Sequence, residues 1–225
     1  MKIKFYAHAS FRLEGDDLAI VTDPYTPGPE GSNFEPINEP ADIVIRSSDD
    51  DDFHCNASHI LGDPVIVDAV DVPPAGATVK GLHIRAIPSA ESQTYDYGRA
   101  ARDNAMYTFS LEGIRILHLG DIGNPFGEWQ LVMLEGQVDV MLVLTGGQPT
   151  IALDDLDRAI KAIGPRIVIP MHYYHPRGVL NILPVTDFTD RQPKDEVTWV
   201  GDTELELTQE TLPPQRRIYV LEQSR

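Results

Sequence analysis

The apolar positions of the chain fall into two kinds of run. "KIKFYAH" (residues 2–8) and "SFRLEGDDLAIVTDP" (10–24) are short and interrupted by polar residues. They predict strands, with a hairpin turn at Gly15-Asp16. "ADIVIRS" (41–47), "VDVMLVLTGG" (138–147) and "RIVIP" (166–170) are more continuous, as strands buried on both faces are. "DPVIVDAV" (63–70), "LHIRAIP" (82–88), "EVTWVGDTELEL" (196–207) and "RIYVLE" (217–222) predict further strands, and "MYTFSLEGIRILHLGD" (106–121) a second hairpin. One stretch changes period. In "TIALDDLDRAIKAIGP" (150–165), Leu153, Leu156, Ala159, Ile160 and Ile163 keep helical spacing, and Gly164-Pro165 stop the helix. "TPGPEGSNFEPINEP" (26–40) predicts a long loop. No stretch has the composition of a linker, so residues 1–225 are expected to form a single domain.

The pattern also echoes itself. Glu14-Gly15 is followed by Asp23, nine residues after Glu14, and Glu112-Gly113 by Asp121, nine residues after Glu112. Each pair sits in a hairpin whose second strand ends on the aspartate. The echo and the element order predict an α/β protein, an internally duplicated αββα four-layer sandwich.

Composition narrows the function classes. The formal net charge is −17, which disfavours a phosphate-rich partner such as nucleic acid. No apolar run approaches the roughly 20 residues that span a bilayer, and the opening residues read as a strand without a signal-peptide core. The single cysteine, Cys55, cannot form an internal disulfide. The expectation is a cytoplasmic protein that acts on a small molecule, with no membrane or nucleic-acid partner. The sequence leaves its oligomeric state open.

Candidate chemistry gathers where predicted strands end: His8, Asp23, Asp49 to Asp52, Glu91, Asp121 and His172. His, Asp and Glu are the common ligands of divalent metals. "ADIVIRSSDDDDFHCN" is the odd stretch. Four consecutive aspartates follow a buried strand, where like charges repel unless they are solvated or share a cation.

In "FYAHASFRLEGDDLAIVTDPY", "ADIVIRSS", "IRILHLGDIG" and "IPMHY", taken in order, the chain resembles the metallo-β-lactamase superfamily, in particular its UlaG-like branch of small hydrolases. The resemblance runs over nearly the whole chain and implies the αββα metallo-β-lactamase fold. It also implies a metal-activated water that attacks an ester, lactone, amide or phosphoester of a small molecule. "IRILHLGD" is similar to the strand that delivers the family's bridging aspartate, here Asp121, and "IPMHY" to the one that delivers its final histidine, here His172.

The chain departs from the family's His-x-His-x-Asp-His signature. Counted without a gap, Ser48 and Asp50 replace the first two histidines, Asp52 keeps the aspartate, and Phe53 replaces the last histidine. With one extra residue in the loop, Asp49 and Asp51 replace the first pair, Phe53 the aspartate, and His54 keeps its place. Glu91 stands near a further histidine position, and Gln148 in "LTGGQP" replaces another. The expected ligands are therefore Asp50, Asp52, His54, Glu91, Asp121 and His172. Asp52, Asp121 and His172 are expected to take part in catalysis, with His8 and Asp23 supporting them by hydrogen bonds. Arg46 or Arg102 would balance surplus carboxylates. The cofactor is expected to be a divalent metal, Mn, Mg, Fe or Zn, rather than a tight zinc pair. His59, His83, His118 and His175 are read as structural or surface residues. Ser48 and Ser89 lack the Gly-x-Ser-x-Gly elbow of a nucleophile. The alternative is a protein that keeps the fold, has lost catalysis and metal, and serves in binding or regulation.

Overall fold

The computed structural model describes residues 1–29, 31–49, 53–91 and 103–225. In chain order its elements are β1 (Lys2–Ala7), β2 (Ser10–Gly15), β3 (Leu18–Thr22), β4 (Ile43–Arg46), β5 (Val65–Asp68), a 3₁₀ turn (Ala69–Asp71), β6 (Ala77–Val79), β7 (Leu82–Ala90), β8 (Asp103–Leu111) and β9 (Ile114–His118). There follow α1 (Glu128–Leu134), β10 (Val140–Leu144), α2 (Leu153–Ile163), β11 (Ile167–Met171), α3 (Val185–Thr189), β12 (Val197–Trp199), β13 (Glu204–Glu206) and β14 (Arg217–Val220). The first sheet has the order β13-β1-β2-β3-β4-β5, the second β12-β14-β11-β10-β9-β8-β7-β6.

Both sheets repeat one connection. β2 and β3 pair antiparallel and β3 then pairs parallel with β4; β8 and β9 pair antiparallel and β9 pairs parallel with β10. The nine-residue echo, however, is out of step with the turns. The first hairpin turns at Asp16 and Asp17 (φ 51° and 58°), one residue beyond the predicted position, and the second at Glu112 and Gly113 (φ 49° and 74°). Glu14-Gly15 is still strand, whereas Glu112-Gly113 begins the turn itself. Tight hairpins need left-handed residues, and Asp and Gly both supply them, so a Glu-Gly pair does not mark a unique position. The two turns touch: the Glu112 N–H donates to Asp16 Oδ2 at 2.6 Å.

Strand alternation decides the layers. Ile3, Phe5, Phe11, Leu13, Ile20, Ile43 and Ile45 of the first sheet belong to the main core, together with β8 to β11. Phe5 stacks on Phe11 at 4.6 Å and meets Tyr173, just past β11, at 6.0 Å. Neighbours in sequence belong to a second, smaller core: Tyr6, Val21 and Val44 pack with Tyr25, Phe34, Ile37 and Ile60. That small core is closed by loop residues, since none of its members lies in a helix. The prolines and glycines of 26–40 explain why: they punctuate the segment too often for a helix to form.

On the second sheet, β10 and β11 are buried at every position, as their continuous apolar runs predict. α2 links them and buries Leu156, Ala159, Ile160 and Ile163; Gly164 ends it at φ 67°, a left-handed cap. α1, α3 and β6 escape the sequence pattern. They are seven, five and three residues long, and α1 exposes Trp129 and Val132, so its apolar residues do not mark one buried face. Among the described residues no helix is long and apolar enough to cross a membrane.

Phe5 should carry the contact between the sheets. Phe5→Ala is expected to cost about 3–5 kcal/mol in urea unfolding. Val132→Ala, at a position 73% exposed, should stay within about 0.5 kcal/mol of the parent. Equal effects of the two changes would contradict this assignment of the core.

Candidate metal centre

Several strand ends meet at one place. β1 leads to His8, β9 to Gly120-Asp121 and β11 to His172, while His54 comes from the loop after β4. His8 and His172 stand at φ 60° and 49°, which side-chain-bearing residues seldom adopt. The His172 N–H donates to the His8 carbonyl at 2.7 Å, a bond from one sheet to the other. The two rings stack 4.5 Å apart and 11° from parallel. His54 joins them at 4.8 Å from His8 and 5.3 Å from His172. One ring nitrogen of each histidine lies within 4.8 Å of the others, and all three side chains are buried. Phe53 meets the His8 ring edge-on at 6.0 Å.

Asp121 completes the group. Its Oδ2 lies 3.8 Å from His54 Nδ1 and its Oδ1 3.6 Å from His172 Nε2, both too long for hydrogen bonds. Oδ1 is buried and accepts no hydrogen bond among the described residues. A carboxylate oxygen left that way is costly, and a cation relieves the cost. Donors sharing one ion at about 2.0–2.2 Å stand roughly 3–4 Å apart; the Asp121 oxygens keep that spacing from His54 and His172, at 3.8 and 3.6 Å. The donor set is imidazole nitrogen plus one carboxylate, which fits a divalent transition metal.

A buried polar frame holds this group. The Asp121 N–H donates to Asn104 Oδ1 at 3.0 Å, and Asn104 Nδ2 donates to Ser89 Oγ at 2.7 Å. Gly120 makes the approach possible. It sits at φ 60°, and a Cβ there would lie 2.5 Å from both Asn104 Oδ1 and Ser47 Cβ. Behind it, Asp23 Oδ1 accepts the Ser47 N–H at 2.6 Å, while Asp23 Oδ2 faces His118 Nδ1 at 3.4 Å. His118 Nδ1 accepts the Gly120 N–H at 2.9 Å, so Nε2 carries the proton and donates to the Ala9 carbonyl, also at 2.9 Å. Burial pushes the Asp23 carboxyl up to about 7 and the His118 imidazole down to about 3.

The residues named from sequence are distributed as follows. His54, Asp121 and His172 come together, and His8, expected only to support them, stands in the same group. Asp50, Asp52 and Arg102 lie outside the described residues. Glu91 follows β7 at half-buried depth, and its carbonyl packs so closely on Gly123 that a Cβ there would lie 1.3 Å away. Asp23 is in the supporting frame. Arg46 is engaged elsewhere, by Asp68 at 2.5 Å and the Cys55 carbonyl at 2.9 Å. Asn104 escaped the sequence reading. Its one signal was an amide at the head of a strongly apolar strand, "NAMYTF".

Comparison with known proteins shows the family and the fold. A family profile described as a beta-lactamase superfamily domain matches residues 2–172. A protein of Thermotoga maritima, described as a candidate Zn-dependent hydrolase of the metallo-β-lactamase superfamily, superposes with a TM-score of 0.75 at 31% identity, covering 98% of each chain. A UPF0173 metal-dependent hydrolase of Thermococcus kodakarensis is 28% identical over 199 residues, 77% of this chain and 84% of the relative. An isothiocyanate hydrolase from Delia radicum gut bacteria shares the fold alone: TM-score 0.68 and 16% identity over 92% of this chain and 99% of that one.

Asp23 and His118 should pull stability in opposite directions. A carboxyl raised from 3.8 to about 7 holds its proton more tightly when folded, so its contribution is lost as pH rises through that window. An imidazole lowered from 6.5 to about 3 resists protonation when folded, so its contribution is lost as pH falls through that range. Between pH 4 and 6.5 the two slopes oppose. Asp23→Asn keeps an oxygen for the Ser47 N–H and leaves the His118 slope alone. Its thermal stability, measured with chelator present, should fall more steeply on acidification than that of the parent. Parallel profiles would refute the pairing.

Proposed function

The chain belongs to the metallo-β-lactamase superfamily, and from that premise we propose that it is a metal-dependent hydrolase of a small molecule with a single-ion site. The observation that carries this reading is the buried trio His8, His54 and His172 beside an Asp121 oxygen with no hydrogen-bond donor among the described residues. His8, His54, His172 and Asp121 would hold the ion. This set supports the register in which His54 keeps the last histidine position. One ion is the proposal because Ser48 and the aspartates leave few imidazoles for a second. Zn or Fe suits this nitrogen-rich set better than Mg.

A divalent metal supplies there a Lewis acid and a water of lowered pKa. The chain's own contribution is position. The His172–His8 bond holds two donors in register, and Asn104 holds the Asp121 backbone. Phe53 and Phe34 stand beside the His8 ring as apolar walls. A net charge of −17, with an acidic run just before His54 in the sequence, favours uncharged substrates over phosphoesters. Neutral esters, lactones and amides are therefore the proposed class.

A second reading has its own support. Replacement of the leading histidines is what loss of catalysis in a retained fold would leave behind. One experiment separates the two. Protein purified without added metal should contain about one equivalent of transition metal, and chelator should lower its melting temperature by removing the roughly 2.7 kcal/mol of stability that a ligand at a hundred times its Kd adds. Asp121→Asn and His172→Ala should lose the metal and become indifferent to chelator. A parent indifferent to chelator, together with an Asp121→Asn variant that is more stable, would end the enzyme reading.

A further inference from the structure

A groove of about 420 Å³ is bounded by the 3₁₀ turn and its exit, by β7, by the start of β8 and by α1; none of His8, His54 and His172 lines it, though Ser89 and Asn104 of the frame behind Asp121 do. That volume is within the range of small-ligand sites. Its walls are apolar at Val70, Val72, Pro74, Met133 and Trp129. Trp129 is 56% exposed, and a large aromatic left in water beside a groove is informative.

Arg85 also lines the groove. Its guanidinium contacts Met133 Sδ at 4.0 Å, and no carboxylate lies within 4.0 Å of it among the described residues. Such a cation, in a groove of a chain with net charge −17, is open to an anionic ligand. Among the described residues, seven other arginines, at 12, 46, 115, 158, 191, 216 and 225, each have a carboxylate partner; Arg166 and Arg217 donate to backbone carbonyls instead, and Arg177, like Arg85, faces no carboxylate but does not line this groove. Arg115, which shares a neighbouring groove with Arg85, is held by both oxygens of Asp139 at 2.9 Å.

We infer that this groove binds an organic monocarboxylate, with its acid group on Arg85 and its apolar body against Trp129, Met133 and Val72. A guanidinium matches a carboxylate in shape and charge. A phosphate dianion would meet the negative field of the chain with one cation to offset it. An extended peptide fits less well, because the outer edge of β7 is occupied. Pro88 has no N–H and its carbonyl accepts Gln130 Nε2 at 2.7 Å. The Ala90 N–H donates to Asn124 Oδ1 at 3.0 Å, and the Ala90 carbonyl accepts the Gly123 N–H at 2.9 Å. Little of the edge is left for an added strand. The inference does not depend on the metal reading.

Trp129 supplies the readout, because the chain has two tryptophans and Trp199→Phe leaves Trp129 alone. In that background, octanoate below its micelle concentration should change the emission saturably. Octanamide, of the same shape without the charge, should bind at least about tenfold more weakly. Arg85→Gln should bring octanoate down to the octanamide level and leave octanamide unchanged. Absence of a saturable response to octanoate overturns the inference. So does equal binding of the two probes, or a folded Arg85→Gln variant that binds octanoate like the parent. The comparison of probes needs no change at Arg85, so it decides the matter even if that variant fails to fold.

Discussion

The backbone hydrogen bond from His172 to His8 is the constraint on which the site depends. It joins the ends of β1 and β11, which belong to different sheets. Both residues must leave their strands in the left-handed region to make it, at a cost of order 1–3 kcal/mol each. The buried core pays that cost by pressing the two sheets together through Phe5, Phe11 and Tyr173. The rings of His8 and His172 then stack 4.5 Å apart, and His54 joins them from the loop after β4.

Much of the fold could be read from the chain because it rests on strong local signals. β10 and β11 are apolar throughout, and α2 has both a helical stripe and a glycine stop. The short pieces could not be read, since five or seven residues contain too few turns to show a period. The outer side of the first sheet was also illegible in detail. A four-layer sandwich leads one to expect helix there, but Tyr25, Phe34 and Ile37 close it from a loop. Their spacing in "YTPGPEGSNFEPI" has no period, because loops place side chains by turns rather than by repeats.

The site was legible in part for a different reason. Asp121 and His172 end strands of clear pattern, so their convergence follows from the fold. His8 was harder. A histidine at the end of β1 points into the group only because the chain turns left-handed there, and no residue type in "YAHAS" announces a positive φ. The buried frame was harder still. Asn104, Ser47 and His118 act through hydrogen bonds to Asp121, Asp23 and Ala9, segments well separated in sequence, and such bonds leave no local mark.

The loop layer over the first sheet has a consequence for motion. Its small core shares no residue with the main one, so the segment carrying Tyr25, Phe34 and Ile37 can lift without unzipping the sandwich. Units of that kind open at lower free energy than the whole molecule and exchange their amide protons sooner. Phe34 is also in ring contact with His8 at 6.4 Å and with His175 at 5.5 Å. One wall of the histidine cluster thus belongs to the smaller core and not to the one between the sheets. Opening of that layer would widen the approach to the histidines, while the strands that carry His8, Asp121 and His172 would keep their pairing.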